Sequence, residues 1–247
     1  MELSASLKQK VATYKPSPSA LDSIRSATLM FMVGITSAGK NALLSRMMAQ
    51  HPDDYYFLVS HTTRAPRENQ GVMERDGVEY YFIDNKEMER KLDNGEMIEA
   101  ALIHNGWVSG VSIDEIKKAQ DQGRVAVSDV EVQGVASYVE YGLNLKPVFV
   151  LPPSFEVWKE RLLKRYGDRV DDYKNELVSR MESAIREIEH ALSVDYFYIV
   201  INDDLDETVE LVSRIAHGEP IEPHYHKAMA IADHLLNQLR AELAKSR

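Results

Sequence analysis

Apolar positions along the chain follow two rhythms in turn. Residues 27–33 (A-T-L-M-F-M-V) form a continuous apolar run of strand length that ends at a glycine, as expected of a strand buried on both faces. Residues 40–50 then carry apolar positions at helical spacing. Residues 55–60 predict a second strand and 79–83 (E-Y-Y-F-I) a third, with a polar loop between them. A helix over 85–94 is stopped by Gly95, and 97–103 is an apolar strand leading to the turn His104-Asn105-Gly106. Strand and helix then alternate: helix 113–122, strand 125–130, helix 132–140, strand 147–151, helix 155–166, a long helix near 173–193, strand 196–201 and helix 205–217. Such alternation predicts a parallel sheet, with the β-rich middle as an insert. Residues 1–18 carry mostly small and polar residues interrupted by Lys8, Lys10 and Lys15, and read as an extension or floppy arm. From 224 to 245, Ile231, Leu235, Leu239 and Leu243 recur at helical spacing, a stripe for packing on the body or on a second copy.

Composition narrows the classes. A chain of 247 residues with 44% hydrophobic content can bury one sizeable core. With no cysteine, disulfide frameworks, thiolate nucleophiles and cysteine-held metals are excluded. The longest apolar runs, near 28–35 and 147–153, fall short of the ~20 residues a membrane span needs, and no signal peptide core is present, so a soluble, cytoplasmic protein is expected. A formal net charge of −10 opposes nucleic acid binding, so an anionic ligand requires a local basic pocket.

Such a pocket begins at Gly34-Ile35-Thr36-Ser37-Ala38-Gly39-Lys40, a G-x4-G-K loop placed between a strand and a helix. Backbone N–H groups of Gly34, Thr36, Ser37, Ala38 and Gly39 can wrap a phosphate chain, the helix N-terminus adds partial positive charge, and Lys40 reaches the β- and γ-phosphates. This loop type normally continues with Ser or Thr to hold Mg²⁺. Here Asn41 stands in that place, and its amide oxygen is a candidate Mg²⁺ ligand, directly or through water. Asn85-Lys86 lacks the following aspartate of GTP-binding switch proteins.

Three further segments stand in order: Ser60-His61-Thr62-Thr63-Arg64-Ala65-Pro66-Arg67, Gly77-Val78-Glu79-Tyr80-Tyr81-Phe82 and Gly95-Glu96-Met97-Ile98-Glu99. Arg64 and Arg67 suit a monophosphate, since each guanidinium can donate paired charge-assisted hydrogen bonds. Together the three segments closely resemble the GMP-binding region of guanylate kinases, over about residues 28–218. The resemblance implies an α/β P-loop three-layer sandwich with a parallel core sheet, a mixed β GMP-binding insert at about 60–110 and a helical lid at about 160–190. The kinase-like domain spans 27–218 and is flanked by extensions at 1–26 and 219–247. It implies phosphoryl transfer from Mg-ATP to GMP, with Ser60 and Glu99 on the guanine, Arg64, Arg67 and Tyr80 on the GMP phosphate, and Asn202 of Asn202-Asp203-Asp204-Leu205 beside the adenine of ATP. Asp203 or Asp204 also suits a helix cap.

The same resemblance assigns Asp129 to steadying Lys40 or the hydrated magnesium, and Glu131, in place of the family's second Asp, to the GMP side. Of Arg161, Arg165 and Arg180 in the lid-like segment, Arg165 and Arg180 are expected to meet the phosphate in flight, although 166–177 is about four residues longer than the family pattern. Trp107-Val108-Ser109-Gly110 departs from the family's two tyrosines before a glycine, so a second phenol contact to GMP is missing. Asn41, Glu131 and that missing phenol keep open a non-catalytic nucleotide- or protein-binding module. Another phosphorylated acceptor is the third reading, with Glu99 as the discriminator. The expected partners are ATP and GMP, without nucleic acid or membrane, with a homo-oligomer through the C-terminal helix as an option. His224 and His226 lack a third metal ligand and read as surface residues.

Overall fold

The computed structural model describes residues 3–69, 71–103, 106–167 and 170–246. In chain order the elements are α1 (Ala5–Thr13), α2 (Pro18–Ser23), β1 (Thr28–Val33), α3 (Lys40–Gln50), β2 (Tyr55–Phe57), β3 (His61–Thr62), β4 (Glu68–Asn69), β5 (Val72–Met73), β6 (Tyr81–Phe82), α4 (Asn85–Asp93), β7 (Ala101–Ile103) and β8 (Trp107–Gly110). They continue with α5 (Ile113–Asp121), β9 (Val125–Asp129), α6 (Val132–Glu140), β10 (Asn144–Leu151), α7 (Phe155–Tyr166), α8 (Val170–Ser193), β11 (Tyr198–Ile201), α9 (Leu205–Ala216) and α10 (Glu222–Lys245). The chain forms two compact units, residues 28–55 with 127–247 and residues 1–27 with 56–126.

The larger unit is built on the α/β alternation. A five-stranded sheet runs in the order β11-β10-β1-β9-β2, with β10 parallel to both β1 and β11. The apolar run of β1 is buried from Leu29 to Val33 because a central parallel strand is covered on both faces. Helix α7 starts at Ser154, whose side chain accepts from Val157 N at 3.2 Å, and it buries Phe155, Trp158, Leu162 and Tyr166. Asp204 caps α9 by accepting from Asp206 N and Glu207 N, both at 2.9 Å, so the capping role falls to Asp204. Helix α10 buries Ala228, Ala232, Leu235, Leu236 and Leu239, packing on α8, β11 and α7. Of the expected stripe, Leu235 and Leu239 are thus buried within the chain, while Ile231 and Leu243 are half-buried. His224 and His226 lie exposed in its first turns.

In the smaller unit a mixed sheet runs β6-β3-β8-β7, with β3 parallel to β6 and antiparallel to β8. The expected strands are shorter than their apolar runs. Only 81–82 of 79–83 and 101–103 of 97–103 form strands, and Met97 instead makes an isolated bridge to Ser112. The polar loop contains β3 and a β4–β5 hairpin. His104 and Asn105 of the expected turn lie outside the described residues.

The N-terminal arm is the clear correction. Residues 5–13 and 18–23 are helices, each started by a serine cap, Ser4 or Ser17. Leu3 and Leu7 are buried in one cluster with Met88, Leu92, Met97 and Val108, and Val11 packs against it. Positions 3, 7 and 11 form an i, i+4 stripe, too sparse to stand out among lysines and serines. Polar ties complete the seat: Tyr14 Oη donates to Met97 O (2.6 Å) and Lys10 Nζ to Asp93 (2.6 Å).

Candidate functional site

In the larger unit, β1 delivers the chain into the loop Gly34 to Gly39, and α3 begins at Lys40. Two of its glycines are obligatory. Gly34 (φ +133°) lies so close to β10 that a Cβ would stand 2.2 Å from Val150 O. At Gly39 (φ +98°) a Cβ would stand 2.2 Å from Asn202 Nδ2. Ser37 also adopts a left-handed φ of 63°, which strains a non-glycine residue and is characteristic of functional loops. Its hydroxyl oxygen is buried without a hydrogen-bond partner among the described residues.

Braces from distant segments hold the loop's shape. Asn202 Nδ2 donates to Ala38 O (2.9 Å), Trp158 Nε1 to Thr36 O (2.9 Å), and Arg161 Nη1 to Asn202 O (3.0 Å). Asn202 is buried, as the clamp requires. Lys40 Nζ donates to the carbonyls of Gly34 and Ile35.

Lys40 lines two cavities. One, of about 500 Å³, is walled by Gly34, Thr36, Asp129, Glu131, Arg180 and Glu187. The other, of about 510 Å³, is walled by Asn41, Arg161, Arg165 and Asn202, among others. Burial lowers the Lys40 pKa, opposed by Glu187 first, then by Asp129 and Glu131, while Arg165 adds to the lowering. Asp129 and Glu131 are exposed to the first cavity. Glu131 occupies the N-cap position of α6, yet its side chain makes no cap hydrogen bond, so it does not serve as the helix cap. Arg180 is tied to Glu176 (Nη2–Oε2 2.7 Å) and to the Tyr166 hydroxyl (3.3 Å). Arg165 is exposed.

In the smaller unit, Ser60 precedes β3, Arg64 and Arg67 follow it, Tyr80 precedes β6 and Glu99 precedes β7. The guanidinium of Arg64 is already engaged: Nη1 and Nη2 meet Glu74 at 2.5 and 2.8 Å, and its carbon lies 4.8 Å from the Tyr80 ring centroid. Those hydrogen bonds, more than any other influence, hold the Glu74 carboxyl down to about 2, and the same pair raises Arg64 above its ordinary value. The expectation of Arg64 as an open phosphate fork is thereby modified, since one edge of the fork is filled. Arg67 is exposed and lies 4.7 Å from the Trp107 ring centroid. Ser60 and Glu99 are half-buried, and the Ser60 carbonyl accepts from Tyr81 N (2.9 Å).

Several contributors were missed in the sequence. Glu187 and Ser183 share a wall with Arg180, and positions 180, 183, 187 and 190 are spaced as one helix face, a usable signal. Glu74 and Glu115 gave no local sign. Glu115 is buried and accepts from Val59 N (3.1 Å), Tyr81 Oη (3.0 Å), Tyr56 Oη (3.3 Å) and Lys118, which fixes the backbone leading to Ser60.

Comparison with known proteins places this geometry. The family model described as guanylate kinase matches residues 26–219. The guanylate kinase of Corynebacterium efficiens is 32% identical over 191 residues, 77% of this chain and 95% of that one. Guanylate kinase 1 of Oryza sativa subsp. japonica is 33% identical over 183 residues, 74% of this chain but 46% of that protein, and guanylate kinase 1 of Arabidopsis thaliana is 35% identical over 175 residues, 70% and 43%. The chain thus matches under half the length of the two plant relatives. The crystal structure of guanylate kinase from Anaplasma phagocytophilum superposes with a TM-score of 0.53 at 26% identity, covering 78% of this chain and 86% of that one. With a family model matched over residues 26–219, relatives above 30% identity and a shared α/β fold, the chain belongs to the guanylate kinase family.

Proposed function

We propose that this chain is a working guanylate kinase, transferring the γ-phosphoryl group of Mg-ATP to GMP to give ADP and GDP. The observation that carries this is the preserved loop from Gly34 to Lys40, its strained backbone braced by Trp158, Arg161 and Asn202, with charged side chains on both flanks of Lys40. Phosphoryl transfer asks for positioning and charge neutralisation rather than a covalent intermediate. Backbone N–H groups of the loop cradle the phosphates, and Lys40 exchanges its carbonyl contacts for phosphate oxygens. Asn202 secures the loop on the adenine side. Arg165 and Arg180, within the lid of about 160–190, neutralise charge on the group in flight.

For the acceptor, Arg67 and the open edge of Arg64 take the GMP phosphate with Tyr80. Glu99 accepts from the guanine N1 and 2-amino groups, which adenine cannot offer, and Ser60 assists. Glu131, exposed to the first cavity, is the carboxylate that the family resemblance assigns to the acceptor.

Magnesium fits the donors present. No cluster of three or more His, Cys, Asp or Glu able to hold a metal exists among the described residues. The Asn41 amide oxygen and the Asp129 carboxylate, each in a cavity that Lys40 lines, would hold it directly or through water. When bound, the ion neutralises charge across the β- and γ-phosphates. No helix among the described residues is long and apolar enough to cross a membrane, and we place the activity in the cytoplasm with its nucleotide substrates. The filled edge of Arg64 and the amide at Asn41 favour, as the second reading, a slow enzyme or nucleotide-binding module.

The test is ADP production from Mg-ATP with GMP, dGMP, AMP, UMP and CMP offered separately, beside Lys40→Ala. Turnover confined to guanine acceptors and reduced by at least about 10²-fold in the variant is expected. GMP binding without turnover would establish the second reading instead.

A further inference from the structure

We propose that Trp107 is a positioning residue for the acceptor's phosphate: its indole face holds the Arg67 guanidinium in place. The proposal rests on the GMP reading of this unit and concerns Trp107, on which the family resemblance is silent, because the phenols expected near this turn are absent.

Arg64 and Arg67 are three residues apart but are held differently. Arg64 is closed into a bidentate pair with Glu74 and lies over Tyr80, so much of its donor capacity is spent within the protein. Arg67 has no salt bridge among the described residues, and its backbone N–H, rather than its side chain, donates to Glu74 (2.8 Å). Its guanidinium carbon lies 4.7 Å from the Trp107 centroid, inside the range of a cation–π contact, and an indole is the strongest of the aromatic faces for this purpose.

The geometry of β8 makes that face dependable. Trp107 and Ser109 alternate onto the same side of the strand, Ser109 Oγ donates to His61 O (2.9 Å), and Val108 N donates to Thr63 Oγ1 (2.9 Å). The strand is thus pinned to the β3 segment that leads to Arg64 and Arg67. An exposed arginine otherwise loses much rotamer freedom on closing around a phosphate. Stacking removes part of that freedom beforehand while leaving the N–H edge, which lies in the plane of the guanidinium, available for phosphate oxygens. Trp107 acts through Arg67 and makes no claim on the reacting atoms.

The experiment is a double-mutant cycle on the full chain with wild type, Trp107→Ala, Arg67→Ala and the double variant, adding Trp107→Phe as the conservative change. GMP affinity is measured by calorimetry, and KM for GMP and kcat by coupled assay. Trp107→Ala should weaken GMP roughly three- to tenfold with little change in kcat, Trp107→Phe should recover most of that, and Trp107→Ala should do nothing further once Arg67 is alanine. An equal loss in the Arg67→Ala background, or no loss in either, overturns the proposal.

A second readout needs no nucleotide. Trp107 and Trp158 are the two tryptophans, and Trp158 lies in the other unit, so the emission difference between wild type and Arg67→Ala reports on Trp107. A changed spectrum is expected, and identical spectra overturn the pairing. Should wild type bind no GMP, the functional reading fails while the emission still decides the pairing.

Discussion

Asn202 shows how much one side chain can do without touching the reaction. Its side-chain Nδ2 donates to Ala38 O and fills the space a side chain at Gly39 would need, while its backbone carbonyl accepts from Arg161 Nη1. Asn202→Ala leaves the Ala38 carbonyl with a weakened set of donors in a buried place, which costs about 1–3 kcal/mol. A fall in the thermal midpoint of a few degrees, accompanied by weaker ATP binding in calorimetry, is the expected result. Retained ATP affinity would mean that Trp158 and Arg161 brace the loop unaided. Glu187 works at the same scale. It is the foremost carboxylate opposing the depression of Lys40, and its own pKa is raised by burial and drawn back chiefly by Lys40.

Among the elements, β3 is short but heavily constrained, since His61 and Thr62 pair with β6 on one side and β8 on the other. His61 is buried against the Tyr81 ring, with centroids 4.8 Å apart, and its Nδ1 has no hydrogen-bond partner among the described residues. Burial pushes its pKa down to about 4. Lys91 and Lys118 act in the same direction, while Glu115 and Glu87 oppose it. The unfolded imidazole takes up a proton below its ordinary 6.5, and the folded one only below about 4. Stability from the neutral ring is therefore complete above pH 6.5 and is lost as pH falls towards 4, at up to about 1.4 kcal/mol per pH unit. Urea titrations from pH 7 to 4 should show His61→Asn losing less stability than wild type across that window. Parallel curves would mean that His61 is protonated at no cost. Glu74 and Glu96, both held at about 2, lose their contributions at lower pH, from about 4.5 downwards.

At the scale of the whole molecule, each unit recruits a terminal segment into its own core. Leu3 and Leu7 enter the smaller unit's cluster, and Leu235 and Leu239 are buried on the larger one. Leu7→Ala should cost about 2–5 kcal/mol through the cavity it leaves. Hydrogen exchange should then speed up in α4, β7 and β8 and leave β1, β10 and β11 protected, because the lost packing belongs to one unit. Uniform loss of protection would instead mean that the two units unfold as one.

Much of the fold and the glycine-rich loop was legible in the residues themselves. Helices α3, α6 and α7 begin and end where their periodicity predicts, because an i, i+4 pattern is a property of neighbours along the chain. The loop from Gly34 to Lys40 was equally plain, since its chemistry lies in consecutive backbone groups. What periodicity could not decide were the partners of residues far apart in sequence. Nothing near Arg64 announces that Glu74 will close its fork across an intervening hairpin, nor does anything near Trp158 mark it as a donor to Thr36. The seat of the first helix likewise depends on Met88 and Met97 arriving from elsewhere. Local sequence determined most of the helices and central strands of the larger unit and the glycine-rich loop between β1 and α3. Only tertiary packing decided which arginine is tied down and which lies over an aromatic face, because those choices depend on distances that the chain order does not contain.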